Sequence, residues 1–147
     1  MAWIIDVITN QKARPGNEDF KFTIEAPAGG GARNLPHFKW IEVDAAQGGG
    51  IGGVRCELHY CKFGTDYKKP TFFWTNIPSL IADLTADDSR RCTKIRPCKV
   101  GSGEHKNLGG EGGRIADAAA YPDDLVTFLA SHVMKACDMR RKDKLPA

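Results

Sequence analysis

Four residues carry the most specific chemistry in this 147-residue chain: Cys61, Cys92, Cys98 and His105. Thiolate sulfur and imidazole nitrogen are the donors that tetrahedral zinc takes. Five residues separate Cys92 from Cys98 and six separate Cys98 from His105, while Cys61 comes from another segment. That spacing is looser than the usual knuckle gap, so the same residues also read as isolated cysteines with no shared ligand. A metal would pin the glycine-rich stretch 85–113, which has little apolar core of its own. Cys98 has a second reading as a reactive thiol, because Pro97 precedes it and Arg96 and Lys99 flank it with charge that favours the thiolate. A carboxylate, Glu25, stands at the end of the alternating run FKFTIE, where it reads either as a ligand-facing acid or as a solvated charge.

These residues depend on a few elements for their positions. Leu58–Phe63 and Thr71–Thr75 read as two strands of a hairpin, joined by the polar turn Gly64–Lys69. The second strand is rich in aromatic and β-branched residues and opens after Pro70, whose missing N–H suits a strand's first position. The first strand extends back to Val54, and Phe20–Glu25 forms a third before Ala26-Pro27 and a glycine triplet. Helices are expected over Met1–Thr9, over Ile77–Leu84, and from Tyr121-Pro122 to about Ala136, with a short helix or an irregular crossover over 33–44. Leu125, Phe128, Leu129, His132 and Val133 form the apolar face of the last, with His132 at the core's edge. The run QGGGIGG at 47–53 lacks the Lys-Ser/Thr of a phosphate loop and reads as a flexible linker. The end, RRKDKLPA, reads as a charged tail over 140–147, leaving one domain over 1–139.

Composition narrows the class. Apolar residues at 41% and charged residues at 27% fit a globular protein, and no apolar run approaches the ~20 residues of a membrane span. Five cysteines with no signal-peptide pattern argue for an intracellular, reducing compartment, cytoplasmic or nuclear, rather than secretion. The net charge of +3 is mild. It is unevenly spread: from Val54 to Arg114 there are eleven Lys and Arg against seven Asp and Glu, with Tyr67, Phe72 and Trp74 interleaved. Lys68, Lys69, Arg90, Arg91, Lys94, Arg96 and Lys99 there read either as phosphate contacts or as solvated surface.

The central segment YCKFGTDYKKPTFFWTN resembles the Tyr-Gly-x-x-x-x-Lys-Pro-Thr-x-x-Trp-Thr-Asn segment of divergent phage and viral DNA cytosine-C5 methyltransferases. Ile24-Glu25-Ala26-Pro27-x-Gly, followed by Arg33, is similar to that family's Ile/Val-Glu-Asn-Pro-x-Gly-x-x-Arg, with Ala26 in place of Asn. The Cys-x5-Cys stretch and the Tyr-Pro-x-x-Leu start of the last helix are two further anchors, in the same order. The resemblance implies an α/β fold: part of a class I methyltransferase (Rossmann-like) sheet with an antiparallel C-terminal hairpin, a long glycine-rich target-recognition-like loop and a closing helix. Three strands are expected, too few for an independent sheet covered on both faces.

The resemblance further implies that Glu25 holds a flipped cytosine, supported by Lys69 and Thr71, while Arg33 and the basic loop contact DNA. Neither the family's cofactor loop nor its Pro-Pro-Cys nucleophile is in the chain, and Cys98 lies downstream of Glu25 where the nucleophile lies upstream. S-adenosylmethionine would therefore be bound only with an N-terminal methyltransferase half as partner. Two functions follow. One is the base-recognition, DNA-contacting half of a cytosine methyltransferase, inactive alone. The other is a non-catalytic domain that binds zinc and nucleic acid, or a protein partner.

Overall fold

The computed structural model describes residues 2–16, 19–29, 31, 34–42, 50–86, 89–99, 105–106 and 120–142. Arg33, much of segment 100–119 and the tail from 143 lie outside them. The chain is mixed α/β: among the described residues, four α-helices accompany a three-stranded antiparallel sheet. The order is α1 (Ala2–Lys12), β1 (Thr23–Pro27), α2 (Pro36–Glu42), β2 (Val54–His59), β3 (Pro70–Thr75), α3 (Pro78–Thr85) and α4 (Asp123–Lys142). No helix among the described residues is long and apolar enough to cross a membrane.

The last strand in sequence is the middle one in space. The sheet order is β1-β3-β2, and β3 runs antiparallel to both neighbours. Because β3 is buried on both faces, its residues Thr71 to Thr75 are all buried, and the run reads as continuously apolar rather than alternating. The register sorts the side chains. Ile24, Ala26, Phe72 and Trp74 point to one face, where α1 and α2 deliver Ile8, Phe38 and Ile41. Cys56, Leu58 and Phe73 point to the other, beneath Leu80 and Leu84 of α3 and Leu125 of α4. Both faces are thus covered, contrary to the expectation for three strands. The reason is that two short helices from the N-terminal part and two from the C-terminal part lie on opposite sides.

Three local devices hold this arrangement. Asn76 extends the β1–β3 ladder with its side chain: Phe22 N–H donates to its Oδ1 (2.9 Å) and its Nδ2 donates to the Phe20 carbonyl (2.8 Å). Thr75, fully buried, donates to the Phe22 carbonyl (2.8 Å) and faces Thr23 across the sheet. Trp74 packs against Phe38 with ring centroids 4.2 Å apart, and its indole N–H donates to Glu42 Oε1 (2.9 Å). The Trp-Thr-Asn run is therefore a structural clamp in this chain.

Several boundaries differ from the sequence reading. The strand expected to run to Phe63 ends at His59, and Tyr60–Phe63 forms a 3-10 turn closed by Gly64 at φ +91°. The hairpin needs that reversal, because Tyr60 N–H must return to the Lys69 carbonyl (3.2 Å). The first strand continues to Pro27, so Glu25 sits in mid-strand opposite Phe73 rather than at its end. Residues 50–53 are not a loose linker: Ile51 is core, and Gly53 N–H donates to the Ile41 carbonyl. A Cβ at Gly53 would stand 2.7 Å from Ile41 Cγ2, so the close approach requires glycine. Finally, α4 runs to Lys142, through the start of the expected tail, since no Gly or Pro interrupts Asp123 to Lys142.

Candidate metal centre

The 3-10 turn at the end of β2 presents Cys61, buried, toward the loop that follows α3. That loop is fastened to the strand end by its backbone. His59 N–H donates to the Arg90 carbonyl (3.0 Å), and two residues later Cys92 N–H donates to His59 Nδ1 (2.9 Å). Lys62 Nζ reaches the Pro97 carbonyl (3.0 Å) on the far side. The segment around His105 is fastened separately, through Lys106 N–H to the Asp66 carbonyl (2.9 Å) and a Lys106–Asp66 ion pair.

These attachments bring Cys61, Cys92, Cys98 and His105 together, with all four ligand atoms within 4.8 Å of one another. His105 Nε2 lies 3.2 Å from Cys98 Sγ and 3.8 Å from Cys92 Sγ. Zinc–sulfur bonds of ~2.3 Å in a tetrahedron give ligand separations of ~3.8 Å, so the cluster matches a metal's coordination shell. The cluster can hold a metal ion. Four protein ligands would leave no open coordination position, the arrangement of a structural rather than a catalytic site.

Its electrostatics point the same way. Burial pushes the Cys61 thiol up to about 12, and the neighbouring Cys92 and Cys98 sulfurs add to the shift. The Cys61 thiol therefore stays protonated unless a cation compensates it, so metal uptake there must expel a proton. Behind the ligands, His59 is neutral: burial is the main cause of its lowered pKa, and Nδ1 must accept from Cys92 N–H. Its Nε2 then donates to Glu57 Oε1 (3.0 Å). This support for Cys92 has no sequence signature, since His59 looks like an ordinary strand residue. Cys56 is buried in the core and Cys137 is exposed on α4; both stand apart from the cluster.

A second polar group lies around Glu25, on the sheet face under α3 and α4. Glu25 Oε2 accepts from the Tyr121 hydroxyl (3.4 Å). Glu25 Oε1 is buried without a hydrogen-bond partner among the described residues. Phe73, Leu80, Tyr121 and Leu129 line a cleft of about 250 Å³ with it. The register places Thr71 on the same face, fully buried, its Oγ1 donating to the Lys69 carbonyl (3.4 Å), with Lys69 Nζ 4.5 Å above the Tyr60 ring. Burial, and then the Glu25 charge, raise the pKa of Tyr60 far above its ordinary value; the same two causes raise Tyr121. The three residues named from the resemblance thus belong to one neighbourhood. Tyr60 and Tyr121 join them, and no local pattern signals the second of these contacts, since Tyr121 is 96 residues away from Glu25 in sequence.

The basic residues divide. Arg90 is occupied within the protein, bonded to Asp83 (3.2 Å) and stacked over Phe128 and Phe63. Arg91 lies 3.7 Å from Glu57. Lys68, Lys94, Arg96 and Lys99 are exposed, the last three on the loop that carries Cys92 and Cys98. Arg33 falls outside the described residues. His132 is a buried core-edge histidine as expected, bonded to Ser79 Oγ (3.0 Å) and 3.3 Å from Asp83. No protein-family model, no curated protein and no solved structure matches the chain.

Proposed function

We propose that this chain is a zinc-clasped, nucleic-acid-contacting domain, and more specifically the base-recognition half of a DNA cytosine methyltransferase. The observation that carries the zinc is the convergence of Cys61, Cys92, Cys98 and His105 from three separately fastened segments. Zinc would act as a cross-link, fixing the basic loop 92–99 against the end of β2 so that Lys94, Arg96 and Lys99 face a phosphate backbone.

The methyltransferase part rests on the sequence resemblance. It is supported by the antiparallel hairpin and by Glu25, whose buried Oε1 has no partner among the described residues. A carboxyl group there suits a cytosine edge, because it can donate to the ring nitrogen and accept from the amine. Lys69, stacked over the Tyr60 ring and bonded through its carbonyl to Thr71, supports Tyr60 beside it. No described residue is assigned to S-adenosylmethionine, which an N-terminal half would bring together with the nucleophile.

The test combines two measurements. Purified chain should contain one zinc per molecule by elemental analysis, and chelation should abolish salt-sensitive DNA binding. Complementation with a methyltransferase N-terminal half should restore methyl transfer, and Glu25→Ala should abolish it. A second reading, a non-catalytic zinc and nucleic-acid or protein-binding domain, is favoured by the four-ligand cluster, which needs no partner to complete it. DNA binding that ignores Glu25, with no methyl transfer on complementation, would select it.

A further inference from the structure

Between Cys92 and Cys98 the loop makes a tight turn that is bonded in both directions. Thr93 N–H donates to the Arg96 carbonyl (3.2 Å), and Arg96 N–H returns to Thr93 Oγ1 (3.0 Å). The two tip residues are Lys94 and Ile95, and Ile95 is 90% exposed. A single exposed aliphatic residue is ordinary on a protein surface. The mount here is not. A β-branched side chain rarely occupies a polar turn, and this turn is closed by its own hydrogen bonds and anchored on either side by metal-cluster cysteines. Lys94 and Arg96 adjoin it, and Lys99 follows one residue past the second cysteine.

A stiff apolar tip between cations matches one kind of partner. Proteins that kink duplex DNA push an aliphatic or aromatic wedge between base steps while lysine and arginine take the adjoining phosphates. A bilayer would need much more apolar surface than one isoleucine to hold the loop. We propose that Ile95 is a wedge that enters the base stack of duplex DNA, with Lys94, Arg96 and Lys99 on the flanking phosphates. This rests on the reading of the loop as a nucleic-acid contact and adds how it engages the duplex.

The experiment uses the zinc-loaded full chain and a set of duplexes carrying 2-aminopurine at successive steps. Binding should brighten the probe at one or two adjacent steps, as unstacking relieves its quenching. Ile95→Ser should weaken binding about tenfold, keep the salt slope and leave the probe dark. Ile95→Phe should restore the brightening. Lys94→Gln should keep the brightening but lower the salt slope by about one. Ile95 is solvent-exposed, so none of these changes touches the core. Wild-type binding with a dark probe, or unchanged brightening by Ile95→Ser, would overturn the wedge and leave the DNA-contact reading standing. No duplex binding at all would overturn both. Ile95-dependent binding to phosphatidylserine vesicles without duplex binding would overturn them in favour of a lipid surface.

Discussion

The backbone N–H of Cys92 donates to Nδ1 of His59 across 2.9 Å, so a buried imidazole ties the Cys92–Cys98 loop to the end of β2. Partners behind the ligands commonly set metal affinity as strongly as some ligands do. His59→Ala should therefore lower zinc affinity about 10- to 100-fold. Competition with a coloured chelator measures this, and an affinity equal to that of the unaltered protein would remove His59 from the site.

Metal should stabilise the fold as a ligand that binds the native state. With free zinc at about a thousand times its dissociation constant, linkage gives ~4 kcal/mol. For a chain of this size that corresponds to a rise in Tm on the order of 10 °C. Cys98→Ser should lose most of the rise and the thiolate-to-cobalt charge-transfer band on cobalt loading. Equal melting with and without chelator would show that the cysteines act independently.

Asn76 is a stability prediction on the sheet. Asn76→Ala removes the acceptor of Phe22 N–H and the donor to the Phe20 carbonyl together. Losing both should cost ~2 kcal/mol. Urea unfolding should show a lower midpoint at unchanged slope. Asn76→Asp keeps the acceptor but turns an oxygen toward the Phe20 carbonyl, so it should rescue little.

The Glu25 neighbourhood predicts a pH dependence. The folded-state pKa of Tyr60 is raised above the ordinary 10.0, first by burial and then by the Glu25 charge. The stability it contributes is complete below pH ~10 and is lost as pH rises toward the folded-state value. Tyr60→Phe should flatten that alkaline loss. Glu25→Gln should bring tyrosinate formation to lower pH, because a repelling negative charge is gone. Alkaline absorbance titration of the two variants checks both signs, and no shift in Glu25→Gln would separate the residues.

What the sequence determined by itself is what depends on local pattern. The β-branched and aromatic run after Pro70 could only be a strand, and Pro122 with two aspartates opens the last helix at its N-terminus. Cys61, Cys92, Cys98 and His105 could be named as candidate ligands from their donor types, while their spacing left isolated cysteines as the other reading. Tertiary structure decided the rest. It placed β3 between β1 and β2, which turned Glu25 to the face of Thr71 and brought Tyr121 beside it. It also ended β2 at His59, since the chain had to reverse within a few residues to form the hairpin, and that reversal aims Cys61 at Cys92. Side-chain periodicity reports which face of an element is apolar, but not which element covers it. Contacts across 30 to 90 residues arise from packing two helices on each side of one sheet, and no local pattern encodes them.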